Sequence, residues 1–287
     1  MSLMGMCDRQ WRRVVVALMA VWLLTSVDGL PAAAQPAEGS LIRAVRQGNS
    51  ASTVAQLLEE GADVNASEPD GTTALHWAVQ ADAHNTAQRL IAAGASVGAA
   101  NRYGVTPLAL AATNGSPNMV RVLLAAGTAP DVTTPGGDTP LMIAARTGRV
   151  EVLRQLLTAG AAVNAAERWK GQTALMWAAA EGNDEAILTL IAAGANIEAR
   201  SAGQLSPLLF GVRQGHTAAV SALLNAGADV NAPTNDGTSP LALAVINAHF
   251  ELANLLLDHG ADPTLADPRG SVLHALAWIR RPGSGRP

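Results

Sequence analysis

The sequence predicts a mainly α solenoid in which helix-turn-helix units are joined by hairpin-like loops. Glycine and leucine recur along the chain with nearly the same period, and two residue types that share one period indicate structural repeats. The glycines are 33, 33, 33, 34, 33 and 33 residues apart: Gly61, Gly94, Gly127, Gly160, Gly194, Gly227 and Gly260. The leucines are Leu41, Leu75, Leu108, Leu141, Leu175, Leu208 and Leu241.

Composition favours the same architecture. Hydrophobic residues make up 49% of the 287 residues, but aromatic residues only 3%. The apolar content is therefore mostly Ala, Leu and Val. Such small side chains suit thin layers of closely stacked helices better than one thick globular core.

Each unit carries signals for two helices and a loop. Thr106-Pro107 places a hydroxyl N-cap before a proline, which the first helical turn tolerates because the missing N–H would have no partner there. A turn at Gly148 and at equivalent positions separates this first helix from a second apolar pattern. The periodic glycine follows the second helix, where a left-handed residue is needed. Pairs such as Asp236-Gly237 then predict a tight turn before the next unit.

Several short strings recur in register along the chain: Thr73-Ala74-Leu75-His76, Thr106-Pro107-Leu108, Thr139-Pro140-Leu141, Asp63-Val64-Asn65 and Asp229-Val230-Asn231. In these residues the unit resembles the ankyrin repeat, over about residues 41–279. The resemblance implies an array of about seven repeats plus a partial eighth, a concave groove lined by the first helices, and protein binding. Gln204 replaces the glycine of the family's hairpin loop, a departure that bears on local loop geometry and not on the fold.

Residues 1–34 are predicted to be a secretory signal peptide, and residues 35–40 a linker. Basic residues, an apolar run and small residues follow one another in the order typical of such signals: Arg9, Arg12 and Arg13, then 14–24, then Ala32 to Ala34. A membrane anchor is the alternative, but the apolar run of 11 residues is shorter than the roughly 20 that span a bilayer. Because Lys170 is the only lysine and Ala and Gly are abundant, we expect a bacterial protein, periplasmic or secreted, without stable membrane insertion after signal cleavage.

The terminal units differ from the interior ones. Arg43, Arg46 and Gln47 on the first helix of the first unit suit a solvent-facing cap. The last unit begins at Gly270 and has no second helix before a tail over 280–287 that is predicted to be disordered. This pattern favours a fragment of a longer array over a makeshift cap.

Charge, cysteine and histidine usage exclude several functions. A formal net charge of −4 without a basic stripe is unsuited to binding nucleic acid. Cys7 is the only cysteine and lies in the predicted signal peptide, so the mature chain has no thiol for disulfides or thiolate metal sites. No two histidines have the spacing of a helical zinc site with a third ligand in reach. We therefore expect no metal, no cofactor and a monomer.

One short motif resembles a catalytic sequence. Residues 94–98 match the G-x-S-x-G of a nucleophile elbow, which needs a strand before it and a helix after it. Here Gly94 is a periodic glycine, Ser96 occupies the position of Asp63 and Asp229, and the string follows a helix and enters a loop. We expect no enzymatic activity.

The positions two residues after each periodic leucine are the most informative about function: Arg43, Trp77, Leu110, Ile143, Trp177, Phe210 and Leu243. The resemblance implies that they face the groove, partly exposed, which predicts an apolar stripe across the middle repeats. A large exposed apolar stripe usually marks an interface. The alternative is that Leu110, Ile143 and Leu243 only cover the helix seam.

The rare aromatic residues are the expected anchors for a partner, because Trp and Tyr are over-represented among binding hot spots. These anchors are Trp77, Tyr103, Trp169, Trp177 and Phe210. Trp169 lies beside the one extra residue of its unit and is expected to project from the loop. A polar border to the groove is expected from Arg46, Gln80, Asn114, Arg146, Glu181, Arg213 and Gln214.

The sequence therefore predicts a scaffold that docks a partner protein on its concave face, in the periplasm or outside the cell. The alternative is an inhibitor or immunity-type protein that neutralises a toxin or enzyme in the same compartment.

Overall fold

The computed structural model describes residues 38–265 and residue 270. Within them the chain forms fourteen helices and no strand, arranged as seven helix pairs. The first helices of the pairs are α1 (Glu38–Arg46), α3 (Ala74–Gln80), α5 (Pro107–Asn114), α7 (Pro140–Thr147), α9 (Ala174–Glu181), α11 (Pro207–Gln214) and α13 (Pro240–Ile246). The second helices are α2 (Ala51–Glu59), α4 (His84–Ala92), α6 (Pro117–Ala125), α8 (Val150–Thr158), α10 (Asp184–Ala192), α12 (Thr217–Asn225) and α14 (Phe250–Asp258).

Several predicted segments lie outside the described residues: the signal peptide over 1–34, most of the partial eighth repeat and the tail over 280–287. Helix α1 begins at Glu38, inside the segment 35–40 that the sequence predicts as a linker. No helix in the described part of the chain is both long and apolar enough to cross a membrane.

Hydroxyl caps begin the first helices, as predicted. The side chain of Thr106 accepts the N–H of Ala109 at the start of α5. Thr139, Ser206 and Ser239 make the same bond at α7, α11 and α13, each before a proline in the first turn. The start of these helices is therefore set locally, by one side chain and one missing N–H.

Left-handed residues separate the elements where the sequence places them. Gly61 (φ 88°) follows α2, and Gly148 (φ 67°) follows α7. Two repeats have no glycine between their helices, and Asp82 (φ 53°) and Ala248 (φ 61°) adopt the left-handed conformation instead. Gln204 (φ 58°) likewise keeps a glycine-like backbone in its loop, because the repeated structure around it dictates the path of the chain.

The helices pack in two layers, first helices against first helices and second helices against second helices. The periodic leucines fill the seam between them and are at most 2% exposed. Alanines such as Ala111 and Ala144, both fully buried, let the first helices approach closely. The first helices contact one another more extensively than the second helices do, which is consistent with the first-helix layer being the concave side that the repeat family implies.

Side chains in the loops link each repeat to the next. Asn65 accepts the N–H of Ser96 (2.8 Å) and donates to the carbonyl of Gly94 (3.1 Å). Equivalent side chains in later repeats also accept a backbone N–H of the following loop. We call these residues the loop ladder: Asn65, Asp131, Asn164, Glu198 and Asn231.

Candidate functional site

The candidate site is the concave layer formed by the first helices. Trp77, Leu110, Trp177 and Leu243 are half-buried there and pack against the core. Ile143 and Phe210 are buried, at 7% and 3% exposure. The prediction of a partly exposed side chain is therefore wrong at these two positions, and the apolar stripe is interrupted.

Phe210 and Arg213 lie together on α11. The guanidinium carbon of Arg213 lies 5.2 Å from the centre of the Phe210 ring, and the ring belongs to the hydrophobic core. Desolvation by burial lowers the pKa of Arg213, yet a guanidinium stays charged in proteins. At this repeat the groove therefore presents an arginine over an aromatic ring and not an open aromatic face.

A closed Arg–Trp–Glu group lies between the first two repeats. The guanidinium of Arg46 is 5.7 Å from the centre of the Trp77 ring, a cation–π distance. Glu68 joins both residues: its Oε1 is 3.0 Å from Arg46, and its Oε2 accepts the indole N–H of Trp77 at 3.0 Å. The carboxylate thus balances the arginine and occupies the indole donor.

A second Arg–Trp pair lies between the fourth and fifth repeats. The guanidinium of Arg146 is 5.3 Å from the centre of the Trp177 ring. The indole nitrogen of Trp177 is buried and has no hydrogen-bond partner among the described residues. A buried donor without a hydrogen-bond partner costs about 1–3 kcal/mol of stability. The second pair therefore lacks the acceptor that Glu68 provides in the first pair.

Glu68 and Glu167 occupy the same structural position, which sequence reasoning missed. The β-bridges Ser67–Thr73 and Ala166–Thr173 are equivalent, and each glutamate is the first residue inside its bridge. The turn that follows is one residue longer in the second case. Glu167 accepts the backbone N–H groups of Trp169 (2.6 Å), Lys170 (2.7 Å) and Gln172 (3.1 Å) and is only 6% exposed. The sequence does contain a signal for this equivalence: a glutamate precedes each of the two tryptophans, and the two spacings differ by one residue.

Two aromatic residues project from loop tips, Trp169 as predicted and Tyr103 in addition. Tyr103 is 55% and Trp169 is 78% exposed. Arg102 donates to the hydroxyl of Tyr103 at 2.8 Å and lies over its ring, and this hydrogen bond raises the pKa of Arg102. Trp169 stands between Arg168 and Lys170, which are both exposed.

The remaining polar border residues differ in their availability. Gln80 and Gln214 are exposed, and Glu181 is half-buried. Asn114 is committed to the fold, because its amide donates to the carbonyl of Val79 at 3.0 Å, one repeat earlier. The structure therefore brings together Arg46 with Trp77 and Arg146 with Trp177, and assigns Asn114 to repeat packing.

A family model described as ankyrin repeats (3 copies) matches residues 41–134, 123–201 and 201–267. The chain belongs to the ankyrin-repeat family. Among solved structures, the chain is similar to the ankyrin repeat domain of Bcl-3, a unique member of the IkappaB protein family, with a TM-score of 0.65 and 30% identity over 72% of this chain and 94% of that chain. A comparison with curated protein sequences gave no match. The predicted fold class is confirmed, and this fold is typically a non-enzymatic protein-interaction scaffold.

A depression at the turns between the helices of the second and third repeats superficially resembles a hydrolase site. His84 Nε2 lies 3.7 Å from Asp82 Oδ1 and 3.5 Å from Ser116 Oγ. A catalytic triad needs the carboxylate and the serine on opposite ring nitrogens, whereas here both approach the same nitrogen. Ser116 also accepts the N–H of Met119 as the cap of α6. These contacts are structural.

The other serine and histidine residues considered as catalytic or metal-binding candidates also make structural contacts. Ser96 is exposed in a loop after α4 and contributes its backbone N–H to the loop ladder. His216 and His249 lie near backbone carbonyls of the preceding repeat. Over the part of the chain that the structure describes, no group of three or more His, Cys, Asp or Glu residues is arranged to hold a metal ion.

Proposed function

We propose that this ankyrin array is a scaffold that holds a partner protein along its concave face, in the periplasm or outside the cell. The observation that carries the proposal is the set of aromatic side chains with accessible surface in a chain of only 3% aromatic residues. Trp77 and Trp177 are half-buried on the first helices, and Tyr103 and Trp169 are exposed on the loops.

Physical arguments support a protein partner. Tryptophan and tyrosine dominate the binding energy of protein interfaces because they bury large surfaces in desolvated pockets. The array is formed before binding, so association orders few side chains and costs little conformational entropy. We further propose that the chain acts without cofactor or catalysis, as a monomer. The basic, apolar and small residues over 1–34 support export.

Affinity capture from an envelope extract of the source organism tests this proposal. The baits are the full chain, Tyr103→Ala with Trp169→Ala, and Leu188→Ala as a matched control on α10. Leu188 is 55% exposed, the same fraction as Tyr103, so the control removes an exposed apolar side chain outside the groove. We expect the double variant to recover at least about tenfold less partner, since hot-spot truncation costs about 2 kcal/mol or more, and Leu188→Ala to behave as the unmodified chain.

Equal recovery by the double variant and the unmodified chain would contradict docking through the exposed aromatic side chains of the loops. Fractionation of the same cells tests the compartment. Recovery of the chain in the cytoplasmic fraction, with none in the envelope or medium, would contradict export.

A further inference from the structure

The two Arg–Trp pairs of the array differ in a way that indicates what the second one binds. We propose that Arg146 and Trp177 form a receptor for a carboxylate of the partner protein, from an aspartate or glutamate side chain. This inference rests on the proposed function and adds the chemistry of the partner and the point at which it docks.

The first pair shows how such a group is completed. Glu68 uses one carboxylate oxygen for the guanidinium of Arg46 and the other for the indole N–H of Trp77, both at 3.0 Å. A carboxylate suits a site between a guanidinium and an indole, because one oxygen accepts a charge-assisted hydrogen bond from the guanidinium while the other accepts the indole N–H. The first repeat interface thus contains its own acidic residue.

The second pair has the same arginine and tryptophan without that acidic residue. Arg146 is exposed and lies over the Trp177 ring, and no carboxylate of a described residue forms an ion pair with it. Glu181 lies on the same helix as Trp177 and forms no such pair either. The buried indole N–H of Trp177 has no acceptor among the described residues. The guanidinium of Arg146 and the indole N–H of Trp177 therefore lie close together, and neither has a carboxylate partner among the described residues.

Glu167 does not fill this place, because the longer turn directs it elsewhere. Its oxygens accept three backbone N–H groups within 3.1 Å, and withdrawing it would leave those donors without a partner. The extra residue of this repeat thus removes the internal carboxylate from the groove and at the same time raises Arg168, Trp169 and Lys170 to an exposed loop tip.

The surroundings favour an acidic segment of the partner. Arg168 and Lys170 are exposed on the loop that precedes α9, and Arg213 lies on α11, the next first helix of the array. Complementary charge of this kind sets the specificity and register of a protein interface. A partner carboxylate pairs first with the exposed guanidinium of Arg146, and a rotamer change of that side chain, which covers the ring, gives its second oxygen access to the indole N–H.

Selection of random 12-residue peptides displayed on phage, with the full chain as target, tests the inference. We expect the selected peptides to be enriched in Asp or Glu beside an apolar residue. Measured by fluorescence anisotropy, the best peptide should bind Arg146→Gln about tenfold or more weakly, as expected for the loss of a charge-assisted hydrogen bond. The charge reversal Arg146→Glu should instead select peptides that contain Lys or Arg.

Arg154→Gln is the matched control. Arg154 is also an exposed arginine, but it lies on the second helix α8 and already has Glu151 and Glu185 as partners, so its loss should leave peptide affinity unchanged. Circular dichroism checks that Arg146→Gln remains folded.

The outcomes separate this inference from the proposed function. Selected peptides without acidic enrichment, or acidic peptides that bind Arg146→Gln as tightly as the unmodified chain, would overturn the carboxylate receptor and leave the scaffold function standing. A dodecathymidylate probe tests for a general polyanion surface. If it binds as tightly as the acidic peptides and its binding also depends on Arg146, the carboxylate receptor is overturned as well. No selected peptide at all would contradict the scaffold function, and the receptor with it.

Discussion

His76 illustrates how one buried polar residue ties neighbouring repeats together. It is 2% exposed, and its Nδ1 accepts the N–H of Thr73 at 3.2 Å. Its Nε2 lies 3.0 Å from the carbonyl of Val105, in the loop of the next repeat. These partners require the neutral tautomer with its proton on Nε2. These hydrogen bonds join the first helix of one repeat to the loop of the next.

The buried imidazole makes stability depend on pH. Desolvation by burial lowers the pKa of His76 below its ordinary value, so the unfolded chain binds this proton more readily than the folded chain. Stability is therefore full above about pH 6.5, the ordinary pKa of histidine, and decreases as the pH falls through that value. We expect the free energy of unfolding from urea titrations to decrease between pH 7.5 and pH 5.

The variant His76→Gln should show a smaller decrease over this interval, while starting about 1–3 kcal/mol less stable at pH 7.5 because buried partners lose their hydrogen bonds. His259→Gln serves as the control, because His259 is exposed. The same pH dependence in His76→Gln and the unmodified chain would show that other groups cause it.

At the scale of elements, the loops contain most of the variation between otherwise similar repeats. One additional residue between the bridge partners Ala166 and Thr173 is enough to turn Glu167 away from the groove, whereas Glu68 in the shorter turn reaches Trp77. Loop length therefore decides whether the glutamate accepts hydrogen bonds from the loop backbone or from a groove tryptophan, although both following helices begin directly after the bridge threonine.

The loop ladder has a gap at Gly98, the position equivalent to Asn65 and Asp131. Glycine has no side chain with which to accept the backbone N–H of Ala129, which the ladder would place opposite it. A Cβ at Gly98 would meet nothing within 4 Å, and its φ is not in the left-handed region. We expect Gly98→Asn to raise the free energy of unfolding by about 0.5–1.5 kcal/mol, through one new hydrogen bond and a less flexible unfolded chain.

Chemical denaturation of two further variants separates these contributions. Gly98→Ala retains only the effect on the unfolded chain, so it should stabilise less. Gly61→Asn should destabilise, because Gly61 also has open space but a left-handed φ of 88°. Identical midpoints for Gly98→Asn and Gly98→Ala would show that the ladder bond contributes nothing.

At the scale of the whole array, the extensive contacts between the described first helices run from each repeat to its neighbours. Stability in such a solenoid is close to a sum of repeat and interface contributions, so damage stays local. Leu175 lies in the middle of the array and is fully buried. Leu175→Ala should cost about 2–5 kcal/mol and weaken the interfaces on both sides of its repeat.

Hydrogen exchange with mass spectrometry locates this damage. We expect lost protection in α9 and its neighbours α7 and α11, with α2 unchanged. Leu41→Ala, in the first repeat, should affect only α1, α2 and the next pair. An equal loss of protection in every helix after Leu175→Ala would show that the array unfolds as one cooperative unit.

The sequence by itself determined the repeat period, the helix starts and the left-handed turns, because each depends on one or two residues acting on their own backbone. Thr106 caps the helix that begins next to it, and Gly61 adopts a φ that only glycine takes without strain. The family and the fold class follow from that pattern, as does the projection of Trp169 from its loop.

Only the tertiary structure decided which groove residues are open. Phe210 and Trp177 occupy equivalent positions, yet the first is buried and the second is half-exposed. Glu68 and Glu167 are also equivalent, yet only the first contacts a tryptophan. These differences depend on contacts between residues in successive repeats and on the path of each turn. A periodic sequence pattern cannot reveal them, because it predicts the same environment for all equivalent positions.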